Sequence, residues 1–449
     1  MGYRFGDYKQ YYIDNIKLAA PIIMSHVGQM SVQLADNIMV GRLGALPLAG
    51  VSFGGAVFFF LFIFGVGLSL GLTPLVGERF VRGQHRRSAA YLQNSLLLYG
   101  LIGVAICALQ FAIIPFFGYM GQDQQVIEVA LPYYKYMALS MIPFMIFAAF
   151  KQFLEGLGNT KVAMWIVITC NIVNIIFNYL FIYGKFGFPA LGAEGAGLAT
   201  FISRCLMPVM IVVYFFSKDT FKRYFKLYNR ANFDIKHITT ILGVGVPISL
   251  QMFMEGGAFS LSTIMVGWIG ADALAANQIA MSTVSFAFMM LIGVVSATTI
   301  QVSHQMGRRS KEGVRMVASA SYHMSLVYSL LVAIIFISFR GLIPQAFTSD
   351  QAAVAVASKL LVIAAFFEIS DMMQFTSLGI LRGMKDVRYT VVAAFVAYIL
   401  VNLPVAYLLA FPLGLGVNGV WLGSACGLSL AAFLLNRRYR MNMRKLDFR

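Results

Sequence analysis

Residues 38–50 read IMVGRLGALPLAG and residues 264–276 read IMVGWIGADALAA: the same tetrapeptide, then the same run of small residues, 226 positions on. Pro21 and Pro247 keep that spacing. Leu154-Glu155-Gly156 matches Leu381-Arg382-Gly383 at an offset of 227, and Gly192-Ala193-Glu194-Gly195 matches Gly416-Val417-Asn418-Gly419 at 224. A drift of one or two residues between separated blocks is what loop insertions and deletions leave behind. The chain reads as a tandem duplication, with halves at 1–228 and 229–449.

What is duplicated is apolar. The 449 residues are 59% hydrophobic and 12% charged, against roughly 25% charged in soluble domains. Runs such as 51–72, 164–183 and 389–411 exceed the ~20 residues that cross a bilayer. In hydrocarbon the backbone must satisfy its own hydrogen bonds, so such runs are helices. They do not alternate apolar with polar, as a transmembrane barrel would. Helices are expected at 15–40, 47–78, 88–117, 127–154, 160–184, 192–216, 236–268, 272–306, 314–340, 352–381, 388–411 and 416–436. The fold class is therefore an all-α polytopic membrane protein with twelve transmembrane helices. Six spans per half is an even number, so both halves enter the membrane from one side and form parallel lobes. A duplicated bundle with a purely structural role would look the same at this level.

The net charge of +16 could suggest a nucleic-acid partner, but its distribution does not. Most Lys and Arg fall in the two termini and the even-numbered loops: Arg4, Lys9 and Lys17; Arg79, Arg82, Arg86 and Arg87; Lys151 and Lys161; Lys218 through Lys236, including Arg230; Arg308, Arg309, Lys311 and Arg315; Arg382, Lys385 and Arg388; and the tail from Arg437 to Arg449. This is the positive-inside pattern. It puts both termini in the cytoplasm and the chain in the cell (inner or plasma) membrane. Cys107, Cys170, Cys205 and Cys426 lie inside apolar stretches, with neither zinc spacing nor a disulfide framework. The polar first residues, with Arg4, Asp7, Lys9 and Asp14, do not read as a signal peptide.

Four carboxylates fall deep in expected spans: Asp36, Glu255, Glu368 and Asp371. An ionised side chain at the bilayer centre costs ~2.5–3.5 kcal/mol on insertion scales. Such acids belong in a cavity, where a proton or a cation can neutralise them. The bland reading is a hydrogen-bonded packing acid near a helix end. Glu368 and Asp371 are three apart and share a face. His26, Gln29, Gln33 and Asp36 form a stripe at helical spacing, as do Asn171, Asn174 and Asn178. Polar stripes also glue helices together, but three in one chain favour a lined cavity. The acids are not duplicated: Asp36 corresponds to Ser262, Glu255 to Gln29 and Asp371 to Phe144. They answer to something other than the scaffold. The 25 Met and 39 Phe suit a pocket for varied apolar cations, although most must be ordinary packing.

Enzyme motifs do not survive their context. Gly67-Leu68-Ser69-Leu70-Gly71 fits G-x-S-x-G, yet it sits inside an apolar helix without the strand a nucleophile elbow needs, and packing glycines explain it. Gly414 to Gly419 fits G-x-G-x-x-G in a loop without a Rossmann unit. Walker A and HExxH motifs do not occur, so energy would come from an ion gradient and no cofactor is expected.

The ordered set PIIM…LADNIMVGRLGALPLAG (21–50), EGLGNTK (155–161), NIIFNYLFIYGKFG (174–187), Met254-Glu255 with AANQ (275–278), and Asp371 followed by LRGMKD (381–386) resembles the multidrug and toxic compound extrusion (MATE) family, in its NorM-like branch. The likeness spans nearly the whole chain. It implies an antiporter of two six-helix lobes that exports small organic cations and drugs, driven by inward Na⁺ or H⁺. By resemblance, Asp36 is the coupling acid of the first lobe, with Asn174 and Asn178 beside it, and Glu255 and Asp371 form a possible Na⁺ site in the second. A family tyrosine maps to Phe367, which lacks the hydroxyl, and the neighbouring Glu368 is a candidate to compensate. Gln33 and Gln278 are expected to line the cavity. The partners expected are drugs and membrane lipid, with the protein acting as a monomer. The competing reading is a lipid-linked precursor flippase of the same broader superfamily, which should line its cavity with cations. Here Arg204 is the main deep cation among acids.

Overall fold

The computed structural model describes residues 5–227, 233–348 and 350–448. Arg4, Arg230, Arg449 and the expected lobe boundary at 228/229 lie outside them. Among the described residues there are helices and no strands. Eleven helices are long and apolar enough to cross a membrane: α2 (Ala45–Val81), α3 (His85–Tyr119), α4 (Gln124–Gly156), α5 (Lys161–Tyr183), α6 (Ala193–Ser217), α7 (Ile235–Ile269), α8 (Asp272–Gly307), α9 (Lys311–Ser338), α10 (Gln351–Gly383), α11 (Arg388–Ala410) and α12 (Gly416–Lys445). The twelfth, α1 (Phe5–Gly41), has the length but is less apolar, because it carries Ser25, His26, Gln29, Gln33, Asp36 and Asn37. The chain is a multi-pass membrane protein of two six-helix halves, as its sequence pattern requires.

Two ends differ from expectation. Helix α1 starts at Phe5, not near residue 15. Its first turns are amphipathic and anchored: Tyr12 Oη lies 2.9 Å from His323 Nδ1, and Asn15 Nδ2 donates to Thr298 Oγ1 and Ser321 Oγ at 3.4 Å. Helix α12 runs on to Lys445. Its extension is held at Asp386, which accepts from Arg438 Nε and Nη2 (2.6 and 3.2 Å) and from Asn442 Nδ2 (2.6 Å).

By internal packing the chain forms two units, Met24–Ser249 on the one hand and Met1–Ile23 with Leu250–Arg449 on the other. The divisions fall inside α1 and α7, two residues after Pro21 and Pro247, and are themselves 226 residues apart. The reason lies in paired close approaches. In one unit the Cα of Gly67 faces Ser249, where a Cβ would stand 2.7 Å from the Ser249 Cα. In the other, a Cβ on Gly293 would meet Ile23 at 2.3 Å and the Ala19 carbonyl at 3.0 Å. Gly67 and Gly293, like Ile23 and Ser249, are repeat mates at 226. The first half of each Pro-bearing helix thus packs against the glycine face of a second-position helix. Gly67 and Gly71, from the G-x-S-x-G run, are packing glycines: Gly71 abuts Gly245.

In the unit containing α8–α12, α10 lies at the centre and touches α8, α9 and α12. Helix α12 meets α11 along Gly419, Gly423 and Gly427. A Cβ there would stand 2.6, 2.4 and 2.6 Å from atoms of Ala410, Ala406 and Asn402. This is the small-residue seam that lets membrane helices approach closely. Within α11, Phe395–Asn402 is wound as a π-helix and ends just before Pro404. Proline has no N–H to donate and crowds the carbonyl four residues earlier, so the hydrogen-bond register changes there.

Gly423→Leu should destabilise the fold by ~1–3 kcal/mol or more, the range for overpacking. Gly243→Leu should be tolerated, because nothing lies within 4 Å of a Cβ there. Thermal unfolding followed by size-exclusion chromatography in detergent compares the two. A second expectation concerns Asp386. Burial pushes its carboxyl up, but the bonds from Arg438 and Asn442 outweigh this and hold it below the usual value. A depressed carboxyl stabilises above its unfolded value of about 3.9 and loses that contribution as pH falls through the folded value. Acidification below about pH 4 should therefore lower the melting temperature of the wild type more than that of Asp386→Asn.

Candidate functional site

In the unit Met24–Ser249, α1 and α5 bring together Asp36, Asn174 and Asn178. Asn178 Nδ2 donates to Asp36 Oδ1. The orientation that satisfies the Asn174 amide points its nitrogen at Asp36 Oδ1 (3.3 Å) and its oxygen at Thr200 Oγ1 and N (both 3.3 Å). Asn174 and Asn178 are one turn apart on α5, which is why one aspartate can meet both. Thr200, on α6, was not evident from sequence; it closes the far side. Both asparagines are buried, at 3% and 0% exposure, and Asn178 Oδ1 has no partner. Asn171, the third of that stripe, lies against Gly28, where a Cβ would come within 2.9 Å of its amide nitrogen. Gln29 and Gln33 are exposed and stand outside this hydrogen-bonded group.

The same unit holds Arg204. Its guanidinium lies 5.2, 5.1 and 5.4 Å from the ring centroids of Phe58, Phe62 and Phe144, and Nη1 donates to Ser140 Oγ at 2.8 Å. Three rings around one cation form a cation–π cage. Elsewhere in this unit Glu155 is buried, with Lys151 Nζ at 3.8 Å.

In the other unit, Glu255, Glu368 and Asp371 are buried, at 8%, 1% and 6% exposure. Their surroundings differ. Glu255 accepts from Gln251 Nε2 (2.7 Å), Gln374 Nε2 (2.9 Å) and Tyr398 Oη (2.6 Å). Arg382 Nη2 donates to Gln251 Oε1 at 2.8 Å, one bond removed from the acid. The sequence reading placed Arg382 in the loop after the tenth span. It is instead in the last turn of α10, buried at 9% exposure, because the helix runs on to Gly383 and Gln251 receives the charge. Arg382 is the repeat mate of Glu155, so the two units bury opposite charges at one position. The π-helical turn presents Tyr398. Glu368 has no hydrogen-bond partner for either oxygen. Among the described residues no three His, Cys, Asp or Glu side chains converge where they could hold a metal ion.

Phe367 points elsewhere. It packs against Trp421 with ring centroids 5.5 Å apart and planes tilted by 37°, and lines a small cavity with Phe259, Ser262, Asn277, Met281 and Ser424. Trp421 Nε1 donates to Asn277 Oδ1 at 2.8 Å. Buried Asn277, not the exposed Gln278, faces inward here. Ser262 is the mate of Asp36, and Ser424 and Asn402 lie 224 residues beyond Thr200 and Asn178. This cavity is thus the duplicated image of the Asp36 group, with the acid replaced by a hydroxyl. Sequence pattern held a signal for the missed residues: Gln251 is four before Glu255, and Asp371, Gln374 and Arg382 follow one helical face.

Comparison with known proteins matches the MatE family model to residues 21–180 and 247–408, two blocks whose starts are again 226 apart. The probable multidrug resistance protein NorM of Idiomarina loihiensis is 32% identical over 438 residues, covering 96% of this chain and 94% of the relative. That of Bradyrhizobium diazoefficiens is 32% identical, covering 97% and 94%. Among solved structures, an outward-facing multidrug resistance MATE family transporter of the MOP superfamily superposes with a TM-score of 0.88 at 21% identity over 97% and 96% of the two chains. A MOP superfamily transporter from Pyrococcus furiosus, described as having a binding pocket of reverse polarity, gives 0.87 at 21% over 97% and 96%.

The donor set around Glu255 makes a stability prediction. Tyr398→Phe removes one bond to a charged acceptor and should cost ~1.5–3 kcal/mol. Glu255→Ala strands Gln251, Gln374, Tyr398 and Arg382 and should cost more, ~3–5 kcal/mol. Thermal melts of purified protein, read by tryptophan fluorescence, rank the two.

Proposed function

The chain belongs to the multidrug and toxic compound extrusion family, in its NorM-like branch, and we propose that it is an efflux antiporter exchanging cationic and amphipathic organic compounds for inward Na⁺ or H⁺. The observation that carries this reading is that four carboxylates, Asp36, Glu255, Glu368 and Asp371, sit within helices that cross the membrane. Three of them are more than nine-tenths buried. Holding charge there is unfavourable unless it is neutralised in each cycle. Asp36 with Asn174 and Asn178 is the coupling group of one half. Glu255, Glu368 and Asp371 belong to the other. The protein works in the plasma membrane, with both termini cytoplasmic, as the loop charges favour.

A cation drives such a cycle only through different affinity for the two states of the carrier. Bound from outside, it neutralises the acids and releases an organic cation that competes for the same negative charge. Once it leaves toward the cytoplasm, the acids again attract the drug. Apolar and aromatic lining then selects compounds by shape tolerance rather than by a fixed hydrogen-bond pattern. The lobes of this cycle are the two six-span halves.

Arg204 and Arg382 are the features that favour the flippase alternative, because an anionic headgroup needs cations. Both are engaged: Arg204 in its ring cage with Ser140, Arg382 on Gln251. Export of cations fits the acids better.

Expressed in a bacterial host stripped of its own exporters, the wild type should raise resistance to ethidium. Asp36→Asn and Asp371→Asn should each abolish that resistance at unchanged abundance in the membrane. Full resistance from both variants would refute the proposed coupling residues.

A further inference from the structure

After α6 the chain forms a short helix, Asp219–Lys226, with Lys218 as the only residue between them. Its sequence, DTFKRYFK, is sharply two-sided. Phe221, Tyr224 and Phe225 recur at i, i+3 and i+4, so they share one face. That face is docked on the protein. The Tyr224 ring lies 5.0 Å from that of Phe153, near the end of α4, and its hydroxyl is 3.2 Å from His85 Nδ1 at the start of α3. Phe221 packs on Phe215 of α6 with centroids 5.3 Å apart. Phe221 and Tyr224 are buried.

The other face is basic. Lys222, Arg223 and Lys226 are exposed, and so is Lys218. The contact with His85 brings up the first turn of α3, where Arg86 and Arg87 are also exposed. Among the described residues none of these six cations forms an ion pair. Charge that only sets topology needs no fixed structure. Here an aromatic anchor holds it in place.

An apolar surface leads to the same spot. Val209, Val213 and Phe216 recur at i, i+4 and i+7 along α6 and are 57%, 60% and 53% exposed. Phe216 stacks on Phe225 of the short helix, with centroids 4.8 Å apart and planes within 17°. The stripe therefore runs from within a span to the foot of the basic helix. An amphipathic helix at an interface ordinarily buries its apolar face in lipid and turns its basic face to anionic headgroups. In this chain the protein takes the apolar face, and the basic face stays at the end of a span.

We propose that this surface binds an anionic phospholipid, with the headgroup phosphate on Lys222, Arg223 and Lys226, Lys218, Arg86 and Arg87 adding to the field, and an acyl chain along Val209, Val213 and Phe216. A nucleic acid or a free phosphate would match the charge but have no use for the stripe. The proposal is independent of what the chain exports.

Full-length protein, purified and delipidated in a nonionic detergent, tests this. Thermal melts with added lipid, read by tryptophan fluorescence, give an apparent affinity, because a ligand of the folded state raises the melting temperature. Each basic residue near an anionic surface adds about fivefold in affinity. Dioleoyl phosphatidylglycerol should therefore act at concentrations at least about tenfold below those of dioleoyl phosphatidylcholine. Combining Lys222→Gln, Arg223→Gln and Lys226→Gln should erase that preference. Combining Arg437→Gln, Arg440→Gln and Arg444→Gln, an equal loss of exposed charge in the tail, should leave it intact. Equal response to the two lipids, a preference that survives the first variant, or the same loss in the tail variant overturns the proposal. So does competition by glycerol 3-phosphate at matched concentration, or a duplex oligonucleotide that acts at lower concentration than the phosphatidylglycerol. Salt decides if the first variant does not fold. Going from 0.1 M to 1 M NaCl shortens the range of charge interactions from about 10 Å to about 3 Å. A wild-type preference unchanged across that range also overturns the proposal.

Discussion

A charge carried into an apolar helix must be answered from within the protein, by donors, by a counter-charge or by a proton. Lipid supplies none of these. Several buried charges of this chain show such an answer. Glu255 is answered by Gln251, Gln374 and Tyr398. Asp36 is answered by Asn178 with Asn174 behind it. Arg204 is answered by three rings. Glu368 meets no hydrogen-bond donor from the protein.

Duplication made the scaffold and divergence made the site. The steric marks of the repeat survive in both copies: Pro21 and Pro247 in their helices, and Gly67 and Gly293 against the first halves that end just past those prolines. The polar positions do not survive. Asp36 corresponds to Ser262, Thr200 to Ser424, and Glu155 to Arg382. Packing constraints act on both copies alike, because each half must close on itself. The polar positions are under no such symmetry, and where one copy holds Asp36 the other holds a hydroxyl beside Phe367 and Trp421.

Much of the fold was legible because span length, small-residue repeats and loop charge are one-dimensional properties. The twelve helices and their tandem halves followed from them. Helix ends were less legible: α1 and α12 extend through polar residues that tertiary partners such as His323 and Asp386 hold in place. The split inside α1 and α7 was not legible, because it depends on which glycine face each half-helix meets. At the site, the acids announced themselves by being where charge should not be. Their donors did not. Tyr398 reads as an ordinary aromatic residue in an apolar run, and only the π-helical turn before Pro404 turns it toward Glu255. Arg382 read as a loop cation because it stands one residue from a glycine.

The glycine seam between α11 and α12 brings backbone against backbone at Gly419 and Gly423. Helices joined backbone to backbone in this way form a single rigid leaf. Tyr398 rides on one edge of that leaf and Trp421 on the other. Any displacement of the leaf therefore carries the phenol on the buried acid and the indole of the neighbouring cavity together, as two teeth of one key.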